Sequence, residues 1–119
     1  MEVVGEEGVI EEVEHVNSFL GRFRGLMFRE EGRILMEFPV RDKPGIWMPF
    51  MNFSIDVAFI DDEKKVVDLF KDVPPVSLSP STWKIYRPET MCRYVLEVES
   101  GLLEEKGVEK GSEIGLKFF

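Results

Sequence analysis

The amino-acid sequence predicts a mainly β fold: a compact antiparallel β-sandwich or barrel-like domain with one or two short helices. Several short segments alternate apolar and polar side chains, which is the pattern of half-buried strands. Turn residues separate these segments at intervals of roughly ten residues, and only two segments have helical spacing. A parallel α/β sheet would need a long helix between successive strands. With 119 residues, the chain matches one domain, so we expect a single domain over residues 1–119.

The N-terminal part predicts a strand followed by a short helix. Residues 9–16 mix Glu with Val and Ile in imperfect alternation, which indicates a half-exposed strand. Ser18 is a candidate N-cap, and the helix that it begins should end between Gly25 and Gly32. The apolar side chains at helical spacing should form its buried face; they are Phe19, Leu20, Phe23, Leu26 and Met27.

The middle of the chain predicts a second strand and a β-hairpin. Residues 33–38 (RILMEF) alternate, with Ile34, Met36 and Phe38 on one face. In the run IWMPFMNFSIDVAFID, residues 46–61, Pro49 cannot donate to a central ladder, so the regular strand should extend over residues 50–60. A polar turn then joins this strand to alternating residues 66–73, as in a hairpin.

The C-terminal part predicts the remaining strands. Residues 74–81 form a loop rich in Pro and Ser, and Trp83 and Tyr86 mark a possible short strand. Residues 93–99 (RYVLEVE) alternate best, with Val95 as the apolar exception on the face of Arg93, Glu97 and Glu99. One or two helical turns over residues 100–107 and a strand over 113–119 close the chain, which gives six or seven strands.

The composition indicates a folded acidic protein. It is 44% hydrophobic and carries a net charge of −8, which disfavours binding to nucleic acid or to an anionic membrane surface. The acidic N-terminus lacks the basic and apolar regions of a secretory signal, so a cytoplasmic location is expected. The chain has no Gln and abundant Glu, Lys and Arg, a balance typical of thermophilic proteins. The sequence does not predict the oligomeric state.

Residues 46–61 contain the candidate site. On a strand, one face of this run is continuously apolar, whereas the other places Asn52, Ser54 and Asp56 in succession between apolar residues. This arrangement predicts a polar notch in an apolar cleft. The candidate ligand-binding residues are Trp47, Met48, Phe50, Asn52, Ser54, Asp56, Arg93 and Glu97.

Two functions are compatible with such a notch. The first is a non-enzymatic ligand- or protein-binding module that uses the apolar cleft, and for it no catalytic residue is assigned. The alternative is an enzyme in which Asp56 is the general acid or base for a small polyhydroxylated substrate, with help from Arg93, Glu97 or His15. A structural role, in which backbone amides or an arginine satisfy a buried Asp56, is the more common fate of such a carboxylate.

The sequence predicts neither a metal site nor a cofactor. His15 is the only histidine and Cys92 the only cysteine. A tetrahedral metal site therefore lacks its usual ligands, and an internal disulfide lacks a second cysteine. The two could form a nucleophilic pair only if the fold joined them, and a buried Cys92 with a surface His15 is the ordinary alternative. Basic residues between Arg22 and Lys43 could receive an anionic ligand or acidic partner, or pair with neighbouring acids.

Three stretches in order resemble a prokaryotic family of uncharacterised proteins known as domain of unknown function 192, or uncharacterised protein family 0127. They are GRFRGLMFRE, IWMPFMNFSIDVAFID and CRYVLEVESGLLEEKGVEKGSEI, and the resemblance extends from about residue 14 to the C-terminus. The family's matching residues fall on Gly25, Leu26, Met27, Trp47, Met48, Asp56, Tyr94, Val95, Leu96, Glu97 and Gly101.

The chain departs from the family pattern at two places. Many members have Lys-Asn-Thr where this chain has Pro49, Phe50 and Met51. If those polar residues bind a ligand in such members, this protein either binds a different ligand or has lost that role. A Gly-Asp pair is replaced by Gly111 and Ser112. The resemblance implies a compact sandwich or barrel-like domain and no established activity.

Overall fold

The computed structural model describes the backbone of residues 1–119 and all side chains except those of Phe19, Leu20 and Phe23. Over this range the chain forms eight strands and two short α-helices, with a short 3-10 helix at Pro80–Thr82. The strands are β1 (Glu2–Gly5), β2 (Gly8–Ile10), β3 (Glu14–Val16), β4 (Ile34–Asp42), β5 (Ile55–Ile60), β6 (Val66–Val73), β7 (Cys92–Glu99) and β8 (Gly115–Lys117), and the helices are α1 (Phe19–Arg24) and α2 (Leu102–Glu105).

The strands form two sheets, so the predicted mainly β fold is confirmed. The larger sheet has the order β3-β4-β7-β5-β6 and the smaller one β2-β1-β8, and neither closes on itself. Every pair of strands is antiparallel except β3 and β4, which are parallel. The arrangement thus departs from the predicted antiparallel one only at this edge of the larger sheet.

Both faces of the larger sheet are buried at its central strands, β5 and β7. All six residues of β5 are buried, and alternate residues of β5 and β7 belong to two separate cores. The first core includes Ala58 and Leu96, packed against the smaller sheet and α2. The second includes Val57 and Val95, covered by the segments between the strands. Central strands buried on both faces lose the simple alternation of an exposed sheet.

Most predicted elements are present, with different boundaries. Ser18 Oγ accepts a hydrogen bond of 3.0 Å from the Gly21 N–H, so the predicted N-cap of α1 is confirmed. Of the side chains predicted for the buried face of α1, those of Phe19, Leu20 and Phe23 lie outside the described residues. Leu26 is buried and Met27 half-buried, but both lie in the turn after the helix.

Three boundary predictions are wrong. Residues 9–16 divide into β2 and β3, and the N-terminal strand β1 was not expected. The strand predicted over residues 50–60 begins only at Ile55. The short strand expected near Trp83 is limited to a single bridge between Ile46 and Tyr86. Neither α1 nor α2, nor any other helix in the described residues, has the length and apolar character needed to cross a lipid bilayer.

Candidate functional site

Asp56 is a buried carboxylate held by backbone amides. Its side chain is 1% exposed. Oδ1 accepts from the N–H of Asp72 at 2.9 Å, and Oδ2 accepts from the N–H groups of Gly101 and Leu103 at 3.0 and 3.3 Å. These bonds connect β5 to the end of β6 and to the start of α2. Asp56 therefore joins three elements on the face of the first core.

The structure does not bring Asn52 and Ser54 to Asp56 in one cavity. Asn52 is exposed and its Nδ2 donates to the carbonyl of Arg29 at 3.1 Å. Ser54 is half-buried and its carbonyl accepts from the Ser100 N–H. Both precede β5, so strand alternation does not apply to them. The notch predicted from parity is not formed by these three residues.

Arg93, a further candidate, faces elsewhere. Its Nη1 donates to Asp62 Oδ1 at 3.4 Å, and Asp62 also contacts Arg41. Arg93 Nε is buried without a hydrogen-bond partner among the described residues. The structure thus places Arg93 beside the turn between β5 and β6 and not beside Asp56.

Glu97 lies on the opposite face of the sheet and lines a cavity of about 240 Å³. Its register partner on β5 is Val57, the residue next to Asp56, and its side chain is 3% exposed. Trp47 and Met48, predicted from sequence, line the same cavity. The other lining residues were not selected beforehand; they are Arg22, Arg24, Gly25, Leu26, Met27, Met36, Gly45, Ile46 and Met51.

Gly25 shapes the base of this cavity. It ends α1 with φ +53°, a conformation that side chains disfavour. A Cβ at this position would lie 3.2 Å from Glu97 Oε1 and 3.2 Å from the Met36 methyl carbon. The turn also presents the Leu26 N–H, which donates to the Glu97 carboxylate. Glycine therefore leaves space beside the carboxylate and allows the backbone to reach it.

The segment that carries Trp47 and Met48 is fixed to its surroundings. Ile46 and Tyr86 exchange two backbone hydrogen bonds of 2.8 Å, and the Met48 carbonyl accepts from the Val76 N–H at 3.0 Å. Beyond it, the Phe50 carbonyl accepts from the Phe28 N–H at 2.8 Å, and the two rings stack with centroids 5.0 Å apart. Both segments bordering the cavity are thus joined to one another.

Phe50 belongs to this contact between the two segments and does not line the cavity. Phe28 and Phe50 have φ values of +66° and +58°, which are rare for aromatic residues. Both side chains are exposed, at 64% and 66%. Backbone strain of this kind is concentrated at functional sites, and here it lies immediately beside the cavity residues Met27 and Met51.

The charges at the cavity are separated by depth. Burial raises the pKa of Glu97 to about 7, and the hydrogen bond from the Leu26 N–H opposes that rise in part. Among the described side chains, no Lys, Arg or His is within ion-pairing distance of the Glu97 carboxylate. Arg24 is exposed. Arg22 donates to the carbonyls of Asn17 and Glu37 at 2.7 and 3.2 Å.

A second, more apolar groove of about 290 Å³ adjoins the cavity through the shared residue Trp47. Its other lining residues are Val76, Trp83 and Ile85. Trp47, Trp83 and Ile85 are each more than half exposed. An exposed cluster of large apolar side chains is typical of a binding surface.

The structure does not join His15 and Cys92. His15 Nε2 forms a hydrogen bond of 2.7 Å with Glu37 Oε1, and the His15 ring contacts the Phe118 ring. Cys92, in contrast, is fully buried beside Asp42. Burial, together with the nearby charge of Asp42, raises the pKa of the Cys92 thiol to about 12. Among the described residues, no group of three or more His, Cys, Asp or Glu is placed to hold a metal ion.

Comparison with known proteins gives the family. The profile of DUF192, described as "Uncharacterized ACR", matches residues 2–116. The chain belongs to the DUF192 family. The UPF0127 protein PF1050 of Pyrococcus furiosus is 33% identical over 106 residues, which cover 87% of this chain and 84% of that protein. The UPF0127 protein PYRAB11210 of Pyrococcus abyssi is 37% identical over 105 residues, covering 86% and 83%.

Solved structures share the fold. A proposed transcription regulator from Sinorhizobium meliloti 1021 matches with a TM-score of 0.80 at 22% identity, over 96% of this chain and 89% of that one. A protein of unknown function from Novosphingobium aromaticivorans DSM 12444 matches with a TM-score of 0.79 at 21% identity, over 97% and 82%. Relatives in Pyrococcus and Thermococcus fit the thermophile-like composition of the chain.

The stretches that resemble the DUF192 family meet at the cavity. Gly25, Leu26 and Met27 come from the first stretch, Trp47 and Met48 from the second, and Glu97 from the third. They are distant in sequence and adjacent in space. Asp56, the other acidic residue that matches the family pattern, lies on the opposite face of the sheet.

Proposed function

We propose that the protein is a non-enzymatic binding module that takes a small molecule into the Glu97 cavity. The observation that carries this proposal is a 3% exposed carboxyl group that lines a cavity and has no cationic partner among the described residues. Burying an ionisable group without a partner destabilises a fold, and such groups are concentrated at functional sites. An apolar residue at this position would pack against Val95 and Val57 without that penalty.

The walls of the cavity suit a ligand with an apolar part. Met27, Met36, Met48 and Met51 line it together with Trp47. Methionine side chains are flexible and polarisable, so they adapt to ligands of different shape. A volume of about 240 Å³ lies just below the range of roughly 300–1,000 Å³ for drug-sized ligands. The cavity is therefore suited to a small metabolite or to one end of a longer molecule.

The bonding of Asp56 argues against the enzymatic alternative. Both oxygens of its carboxylate already accept from backbone N–H groups, and the side chain is 1% exposed. A general acid or base must reach the proton that it transfers. We therefore do not propose Asp56 as a catalytic residue.

A partner protein is the second candidate occupant. The groove of Trp47, Val76, Trp83 and Ile85 favours it, because exposed aromatic side chains are enriched in protein interfaces. In that case a partner side chain would fill the groove, and the Glu97 cavity would remain empty. Exposed Trp83 would then contribute more to binding than buried Met48.

Methionine-methyl NMR with a metabolite panel tests the proposal. Four of the six methionines line the cavity, whereas Met1 and Met91 do not. A ligand in the cavity is expected to shift the four cavity signals and to raise the melting temperature, with Met1 and Met91 unchanged. A panel that moves none of the cavity signals would remove support for the proposal.

Two tryptophan variants separate the two candidate occupants. Trp47→Ala removes a cavity wall and should weaken binding of a small ligand at least about tenfold, a typical effect of truncating an aromatic side chain that anchors a ligand. Trp83→Ala is the matched control, because Trp83 is similarly exposed and lines only the groove. A protein captured by the wild type in pull-downs and lost with Trp83→Ala as well as with Trp47→Ala, which also lines the groove, would favour the partner protein instead.

A further inference from the structure

We propose, on the basis of the function proposed above, that the ligand is a small zwitterion. Its protonated amine enters the cavity and pairs with Glu97, and its anionic group remains at the mouth beside Arg24. The stem between the two groups contacts the methionine walls. This assigns a ligand class to the cavity from the positions of its charges.

The amine is assigned from the surroundings of Glu97. Its carboxylate receives one described protein donor, the Leu26 N–H, although an ionised carboxylate can accept about four hydrogen bonds. An anionic ligand group would be repelled there, and a purely apolar group would leave the acceptors unpaired. An ammonium group supplies three donors and the missing positive charge, so it satisfies the site best.

The anionic group is assigned from the arginines. Arg24 is exposed and forms no ion pair with a described carboxylate. Arg22 is occupied by two backbone carbonyls and lies over the Phe38 ring, 5.4 Å from its centroid. Neither positive charge is neutralised by an acidic side chain within ion-pairing distance. A simple amine would meet this repulsion, whereas a carboxylate on the same molecule would relieve it.

Binding of the amine is coupled to release of a proton. The carboxyl proton of Glu97 leaves to solvent, and the ammonium group keeps its own protons and donates N–H bonds to the carboxylate. Arg22 and Arg24 are the ionisable groups that line the cavity from α1, and the turn after it contributes none. Met36 of β4, Val57 of β5 and the lining residues of the segment before β5 contribute none, so Glu97 is the group whose titration is expected to control affinity. Those lining residues are Gly45, Ile46, Trp47, Met48 and Met51.

A matched six-carbon series tests the ligand class. The probes are 6-aminohexanoate, hexylamine, hexanoate and 1-hexanol, each followed by the methyl signals of the cavity methionines. A titration midpoint near pH 7 leaves roughly a tenth of Glu97 ionised at pH 6 and nine-tenths at pH 8. The affinity for both amines should therefore rise about tenfold between these pH values, with 6-aminohexanoate binding more tightly than hexylamine.

Variants identify the side chains involved. Glu97→Gln should weaken both amines at least tenfold at pH 8 and abolish their pH dependence. Arg24→Gln should remove the advantage of 6-aminohexanoate over hexylamine. Glu99→Gln is the matched control, since Glu99 lies on the same strand face, is paired with Arg33 and does not line the cavity. Binding of 1-hexanol by Glu97→Gln checks that the variant retains the cavity.

The outcomes separate this inference from the proposed function. If hexanol or hexanoate moves the cavity signals and the amines do not, the cavity binds ligands but the zwitterion assignment is wrong. Amine binding that is insensitive to pH or to Glu97→Gln would also overturn it. If none of the four probes and no metabolite moves these signals, the proposed function fails as well.

Discussion

Replacing Glu97 by Gln should stabilise the protein at alkaline pH and have much less effect at acidic pH. Burial raises the pKa of Glu97 to about 7, whereas in the unfolded chain it is near 4.5. Between these values the folded protein keeps a proton that the unfolded chain releases. Its stability must therefore fall as the pH rises from about 4.5 to 7, and then stay at the lower level. Gln retains the carbonyl that accepts from the Leu26 N–H and cannot ionise.

The size of this loss of stability follows from the difference between the pKa values of Glu97 in the unfolded and folded states. At 1.36 kcal/mol per pH unit, the range from 4.5 to about 7 corresponds to about 3 kcal/mol of unfolding free energy lost by pH 8. About 1 kcal/mol of it is already lost at pH 5. The advantage of Glu97→Gln over the wild type should accordingly grow by about 2 kcal/mol between pH 5 and pH 8.

Urea denaturation of both proteins at pH 5 and pH 8 measures this difference. Comparing variant with wild type at each pH cancels the other titrating groups. Glu99→Gln is the control of opposite sign, because its hydrogen bonds with Arg33 lower the pKa of Glu99. That variant should lose stability at pH 8, by at most about 1 kcal/mol for a partly exposed pair. Equal Glu97→Gln effects at both pH values would refute the assigned titration.

Three further predictions concern the same framework. Gly25→Ala should lower the unfolding free energy by about 1–3 kcal/mol and shift the Met36 methyl signal, because the added methyl group requires a disfavoured φ and approaches Glu97 Oε1; an unchanged Met36 signal would contradict the described base of the cavity. Asp56→Asn should lower the unfolding free energy measured by urea denaturation by about 3 kcal/mol, because the amide nitrogen that replaces one carboxylate oxygen cannot accept a hydrogen bond from a backbone N–H; a loss below about 0.5 kcal/mol would show that these bonds are not essential. Cys92 should react with a thiol reagent only as fast as the protein unfolds, because burial raises its pKa to about 12; labelling of the native protein at the rate of a free thiol would contradict its burial.

The sequence predicts a strand correctly where alternation of apolar and polar residues and the flanking turn signals give the same bounds. Residues 66–73 were predicted as a strand and form β6 with the same bounds, because their turn signals and alternation agree. The strand at residues 50–60 was extended too far, because alternation of polar and apolar residues also occurs in the irregular segment before Ile55. Alternation alone cannot distinguish a strand from a segment held by contacts distant in sequence, such as that between Asn52 and Arg29.

Part of the cavity could have been recognised from the sequence. Val95 interrupts the polar face of the strand at residues 93–99, and an apolar residue there indicates that this face is covered as well. The structure shows that cover, since Val95 and Glu97 are both buried. The partners that form the cavity could not be predicted, because Gly25 and Trp47 reach Glu97 only through the tertiary fold. Without those partners, Glu97 resembles an ordinary solvent-exposed glutamate of a strand.

Asp56 and Glu97 show why burial alone does not identify a binding residue. Their strands are paired so that Asp56 lies opposite Val98 and Glu97 opposite Val57; the two acids are therefore neighbours in register that point to opposite faces. Asp56 accepts from three backbone N–H groups and borders no described cavity. Glu97 has one such donor and faces a cavity. A carboxylate whose acceptors are filled by the protein stabilises the fold, whereas one with vacant acceptors can be completed by a ligand. The number of donors, which depends on the tertiary structure, therefore favours Glu97 over Asp56 as the centre of the binding site.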